Sequence, residues 1–180
     1  CFEEAGTMFY DGTNIFINPY DTEYKSFVLP NDTSLITLSG YAEVVLEDIV
    51  CQFSYLRNFT VTNNMNMTVR NCHSKYAMLS DGFCVDNSNG NFYNCTSFKS
   101  KNDGFNIHNY GISNFYNCSG YYNYDDGISH HDGCTGVIDG GEWHHNGKGG
   151  ISSPTHGTRN DIYNVECHHN GYGIYACSDH

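Results

Sequence analysis

Three aspartates precede a glycine at a near-constant step along this 180-residue chain. Ser80-Asp81-Gly82-Phe83, Asn102-Asp103-Gly104-Phe105 and Asp125-Asp126-Gly127-Ile128 bring Asp81, Asp103 and Asp126 to equivalent positions, with Asp125 beside the last. Carboxylates held about 5 Å apart cannot all ionise freely, so at least one pKa rises, and a raised carboxyl is what a general acid needs. Paired carboxyls about 5–10 Å apart are the machinery of glycoside hydrolysis. On this reading Asp126 and Asp103 are acid and base, and Asp125 assists water activation. His130-His131-Asp132 follows on the same segment, and either imidazole could serve as acid, base or sugar-binding group beside Asp126. Tyr124, Lys148 and Arg159 complete the candidate set as substrate contacts. Aspartate before glycine is also ordinary turn chemistry, and for Asp81 that is the stronger reading.

A repeat must position these groups. The segments Val69 to Val85, Phe92 to Ile107, Phe115 to His130, Ile138 to Ser153 and Ile162 to Cys177 superpose at a step of 22 to 24 residues. Val69, Phe92, Phe115, Ile138 and Ile162 keep phase with Phe83, Phe105, Ile128, Ile151 and Ile174. A fixed period of this size is the signature of a solenoid, whose repeats bury their apolar sides only by stacking. Within each repeat, short alternating apolar runs broken by Gly, Asn and Asp have period 2 and read as strands. The expected fold is all-β: a right-handed, single-stranded parallel β-helix with coils about 4.8 Å apart. Weaker coils continue the phase upstream, because Ile36 precedes Phe59 by one period and Leu46, Asp48 and Ile49 precede Val69, Asn71 and Cys72. The solenoid is therefore expected over 35–180, with Phe59, Phe83, Phe105, Ile128, Ile151 and Ile174 as one interior column.

Stacking accounts for residues that otherwise look chemical. Asn71, Asn94, Asn117 and Asn164 share a register position and predict an asparagine turn ladder, where Asn tolerates left-handed backbone. Cys72, Cys95 and Cys118 follow one residue later, in a column with Ile49 and Val165, and are read as small core residues. No C-x-x-C pair occurs, which counts against a metal or redox role, and the nine cysteines do not report a redox compartment. Five N-x-S/T sequons (Asn31, Asn58, Asn66, Asn94, Asn117) are read as chance products of an Asn- and Thr-rich solenoid, two of them in the turn ladder, taken as buried.

His144-His145 and His168-His169 occupy matching positions in successive coils. Neighbours on a strand point to opposite faces, so one member of each pair is expected outward. Two such imidazoles with a third ligand could hold zinc; stacking of like side chains is the preferred reading, and no metal ligand is assigned. Tyr110, Tyr121, Tyr122, Tyr124 and Trp143 lie on or beside the Asp-bearing coils, where flat rings suit sugar faces or brace the outside of the helix.

Composition narrows the partners. Twenty Asp and Glu against eight Lys and Arg give a charge of −12, which disfavours nucleic acid and anionic membrane. No apolar run approaches the length of a membrane-spanning helix. Residues 1–34 divide into a hairpin, Met8 to Tyr10 and Ile15 to Ile17 about an Asp11-Gly12 turn, and a polar link over 21–32; the hairpin could act as a lid on the solenoid end. A start at Cys1 and a stop at His180 in mid-coil predict a piece of a longer protein.

NDGF at Asn102 to Phe105, followed one coil later by DDGI at Asp125 to Ile128, resembles the NTDG and DDC motifs of the polygalacturonase family of glycoside hydrolases. The resemblance implies a right-handed β-helix that hydrolyses glycans with three aspartates, at positions 103, 125 and 126. The family's next motif, GHG, is replaced by Lys148-Gly149-Gly150-Ile151, and its R-I-K motif is missing, although Arg159 falls in the next turn. Over most of the chain the likeness is to pectate-lyase-like β-helices and phage tailspikes, which implies a polysaccharide partner, an extracellular or virion-associated setting and a homotrimer. The leading expectation is a glycoside hydrolase without cofactor. The alternatives are a non-catalytic glycan-binding or structural β-helix, and a lyase or epimerase using Lys99, Lys101, Lys148 or Arg159 with calcium on the Asp cluster.

Overall fold

The computed structural model describes residues 8–10, 15–17, 34–64, 66–155 and 157–176. Every strand is three to five residues long, as the short alternating runs predict, and no helix forms among the described residues. The strands stack into three parallel sheets, giving a β-solenoid of about six turns. Sheet I holds Ile36–Ser39, Phe59–Thr62, Phe83–Asp86, Phe105–His108, Ile128–His130, Gly149–Ser153 and Tyr172–Ala176. Sheet II holds Glu43–Glu47, Asn66–Arg70, Gly90–Tyr93, Ser113–Tyr116, Thr135–Asp139 and Arg159–Tyr163; sheet III holds Val50–Gln52, His73–Lys75, Thr96–Phe98, Ser119–Tyr121, Glu142–His144 and Glu166–His168. Parallel strands joined by crossovers favour the right-handed sense.

Register follows the sequence period. Phe59 pairs with Phe83, Phe83 with Phe105, Phe105 with Ile128, Ile128 with Ile151 and Ile151 with Ile174. The column is buried from Phe59 to Ile151, whereas Ile174 is exposed on the last described strand. Phe59, Phe83 and Phe105 stack ring on ring at 4.4 and 4.7 Å, and Phe92 on Phe115 at 4.5 Å. The two stacks meet edge-on, Phe105 against Phe115 at 5.3 Å, which is the favourable arrangement of aromatic quadrupoles.

Each coil turns through left-handed residues. Asp48, Asn71, Asn94, Asn117 and Asn164 have positive φ between sheets II and III, where the asparagine ladder was expected. Its side chains link coils, Asn71 Nδ2 donating to Asp48 Oδ1 at 2.9 Å. These asparagines are exposed, which corrects the expectation of a buried ladder and leaves sequon residues Asn94 and Asn117 facing solvent. The buried ladder is elsewhere: Asn123, Asn146 and Asn170 lie between sheets III and I. Asn170 Oδ1 accepts Asn146 N at 2.9 Å, and Asn146 Oδ1 accepts Asn123 N at 3.1 Å. Their amides also donate inward, Asn146 to Gly120 O at 2.9 Å and Asn170 to Trp143 O at 2.7 Å. Buried polar side chains thus replace the missing strand pairing of this turn.

Cys72, Cys95 and Cys118 are fully buried and reduced, each aimed at a backbone carbonyl two residues earlier. Upstream, Met8–Tyr10 pairs antiparallel with Ile15–Ile17, as the hairpin reading expects. The Asp11-Gly12 turn, the polar link over 21–32 and His180 lie outside the described residues.

Replacing Ile128 by Asp places a charge at the centre of the interior column, at a cost of several kcal/mol; thermal denaturation should show loss of the cooperative transition. Iodoacetamide applied to the native protein should leave Cys72, Cys95 and Cys118 unmodified by mass mapping, and should label all three in denaturant.

Candidate functional site

The Asp-Gly pairs mark the entry of each coil into sheet I. Glycine is required there: a Cβ on Gly127 would stand 2.5 Å from Gly150 O and 2.8 Å from Asn146 Nδ2. The aspartates form a ladder of their own. Asp81 Oδ1 accepts Asp103 N at 3.3 Å, Asp103 Oδ1 accepts Asp126 N at 2.9 Å, and Asp126 Oδ1 accepts Gly149 N at 2.6 Å. Each carboxyl therefore caps the amide of the equivalent residue in the next coil.

The rungs differ in what surrounds them. Asp81 is saturated by Arg57 at 3.1 Å, Ser80, Asn102 and Asn106, the environment of a structural ion pair. Asp103, 3% exposed, pairs with no cation among the described residues. Burial pushes its carboxyl up from 3.8 to about 8, opposed by the Asp126 amide and helped by the carboxylates of Asp81, Asp126 and Asp125. Burial likewise raises Asp126, against the pull of Gly149 N and Ser152. Asp125 is half-buried and pairs with Lys148 Nζ at 2.7 Å through Oδ2, while its Oδ1 is buried without a partner. Oxygens of Asp103, Asp125 and Asp126 all lie within 4.8 Å of one another, so the structure brings together the three aspartates that the motifs singled out. Such an oxygen cluster can share a proton or hold a hard cation.

The turn carrying Asp125 borders a groove of about 870 Å³. One wall is a column of left-handed residues, Phe53, Tyr76, Lys99, Tyr122 and His145; the other carries Met78, Lys101, Tyr124 and Lys148. Tyr124 is 69% exposed, and Lys101 Nζ lies 4.2 Å from its ring centroid. Three of the chain's eight Lys and Arg line this groove, a local concentration of positive charge in an acidic protein. The buried Asn123 and Asn146 ladder fixes the backbone beside Tyr124 and Lys148. Its signal was present in the sequence as asparagines spaced 23 and 24 apart, beneath the more conspicuous Asn71 series.

Four expectations need correction. His130 is fully buried against Phe115, at 5.8 Å between ring centroids, and burial lowers it to about 4. It faces the core and cannot meet a glycan; His131 takes the outward place, bonded to Ser129 at 2.7 Å and stacked on His108. Arg159 opens a strand of sheet II, a full sheet I strand and a turn away from the carboxyls, and pairs with Asp161 at 3.4 Å. Trp143 is wholly buried and belongs to the core. Both members of His144-His145 face outward, because left-handed His145 breaks the strand alternation.

These features define a parallel β-solenoid with a three-carboxylate cluster beside an aromatic groove. No family model, curated protein or solved structure matches the chain.

The Asp103 carboxyl gives a signed pH effect. An acid raised from 3.8 to about 8 keeps its proton in the folded state while the unfolded chain has lost it, so stability falls as pH rises between those values. His130, lowered to about 4, acts oppositely and only below its ordinary 6.5. Between pH 6.5 and 8 urea unfolding should show the wild type losing about 1–2 kcal/mol, and Asp103→Asn losing markedly less.

Proposed function

We propose that this protein binds an extended polysaccharide in the groove and hydrolyses it at the carboxylate cluster, as a member of the pectate-lyase-like β-helices. The observation that carries the reading is the convergence of Asp103, Asp125 and Asp126, with oxygens within 4.8 Å, next to the groove-lining Tyr124 and Lys148, although no carboxyl of the three itself lines the groove. Three carboxylates at that distance cannot all be charged. Asp103, the most deeply buried, holds a proton at neutral pH and limits the charge of the cluster. Asp126, also raised, is the general acid, and Asp125, the member with solvent access, acts on water or on the sugar. Tyr122 and Tyr124 offer flat faces to sugar rings, while Lys101 and Lys148 can donate to hydroxyl or carboxylate groups of the glycan. An extracellular or virion-surface setting and a trimeric assembly belong to the same reading and rest on the tailspike resemblance.

The second reading is a glycan-binding β-helix without catalysis. What favours it is the Asp ladder, since one oxygen of Asp103 and one of Asp126 already cap backbone amides. A lyase or epimerase is the weaker alternative, because Lys148 is committed to Asp125 and Arg159 lies away from the cluster.

Reducing-end release from a panel of neutral and acidic polysaccharides tests the assignment. Asp126→Asn should lower turnover on the cleaved polymer by about 100-fold or more and leave binding intact. Equal activity in both proteins removes Asp126 from catalysis, and binding without cleavage by the wild type on every polymer supports the second reading.

A further inference from the structure

Four imidazoles on two successive coils take no part in the carboxylate chemistry. His144 and His145 place their Nδ1 atoms 2.8 Å apart, and His168 and His169 repeat the contact at 2.7 Å. The pairs stack coil on coil, His144 over His168 at 4.8 Å and His145 over His169 at 4.6 Å, with rings nearly parallel. Regular alternation would turn one member of each pair inward. Left-handed φ values of 55° and 54° at His145 and His169 cancel it, and Trp143 and Cys167 take the inward places instead.

The second ring nitrogens are directed as well. His144 Nε2 lies 3.9 Å from Glu142 Oε2, and His168 Nε2 lies 3.7 Å from Glu166 Oε1. These contacts are too long for hydrogen bonds, but they put a negative charge behind each ring, which favours a bound cation. Ligand atoms of His144, His145 and His168 all lie within 4.8 Å of one another. With metal–nitrogen bonds of about 2.0–2.1 Å, neighbouring nitrogens stand about 2.9 Å apart at right angles and about 3.4 Å apart in a tetrahedron. In the metal-free chain the 2.8 Å contact of His144 and His145 is a hydrogen bond, with a proton on one Nδ1, so a metal ion would displace that proton and take the three ring nitrogens that already lie close together.

We propose that His144, His145 and His168 bind one imidazole-preferring divalent transition-metal ion of the Ni2+, Cu2+ and Zn2+ class, which clips two successive coils together on the outer face of sheet III. The inference does not rest on the glycan reading, although His145 also stands in the groove wall. A ring stack serving only as a brace would show the same stacking distances and no affinity for metal.

Isothermal titration of the full chain with NiCl2 tests it, with CaCl2 as comparison. One Ni2+ per chain is expected, with no Ca2+ response at these residues. His144→Gln and His168→Gln should each weaken Ni2+ binding at least tenfold, and His73→Gln on the same sheet should leave it unchanged. Absence of Ni2+ binding, or binding unchanged by both substitutions, overturns the site. Should either variant fail to fold, electron paramagnetic resonance of the wild type with one Cu2+ decides: hyperfine coupling to three or more imidazole nitrogens is expected, and fewer than three overturns the proposal.

Discussion

Every feature of this molecule depends on the hydrogen-bonded register between coils, which sets each residue about 4.8 Å beneath its equivalent one period later. Like must therefore stack on like. For Phe59, Phe83 and Phe105, or for Cys72, Cys95 and Cys118, stacking fills the interior with like side chains. For Asn123, Asn146 and Asn170 it supplies a hydrogen-bonded rail where strand pairing lapses. For Asp81, Asp103 and Asp126 it creates a conflict, because identical charges are brought together and partly buried. The fold resolves that conflict differently at each rung, with Arg57 on Asp81, retained protonation at Asp103, and Gly149 N with Ser152 at Asp126. Unequal solutions along a repeated element turn a structural ladder into a set of groups with different acidities.

Much of the architecture was legible because the period-23 signal and the period-2 signal are both backbone properties. The register column from Phe59 to Ile174, interior as far as Ile151, and the three aspartates at positions 103, 125 and 126 fall where their spacing places them. Legibility ended where local backbone departs from alternation. Positive φ at His145 and His169 cannot be read from residue type alone, since histidine is enriched in left-handed backbone yet adopts it only in a minority of cases, and so both imidazoles of each pair emerged outward. The exposed Asn71, Asn94 and Asn117 turn concealed the buried Asn123 ladder because composition alone cannot say which of two Asn columns points inward. His130 was legible but missed: alternation from the interior Ile128 turns His130 inward, and its pairing with buried Ile107 in the sheet agrees.

The groove and the cluster are mutually dependent. The Asn ladder rigidifies the turns that carry Tyr124 and Lys148, which line the groove, and Lys148 links the groove to the cluster through its ion pair with Asp125. A polymer lying along the solenoid axis would meet equivalent positions at each coil step, with aromatic faces and lysines recurring beneath it. Only the coils containing Asp103, Asp125 and Asp126 bring three carboxyls together among the described residues, so chemistry would be confined to one point along a longer binding track.

The most direct test of hydrolysis at that point is the structure of the new chain ends, read by mass spectrometry and NMR after the wild-type protein has acted on a polysaccharide it binds. Products heavier by one water per cleavage, with saturated terminal sugars, are the predicted result. Products bearing a double bond at the new non-reducing end, or a bound polymer whose length never changes, would contradict it.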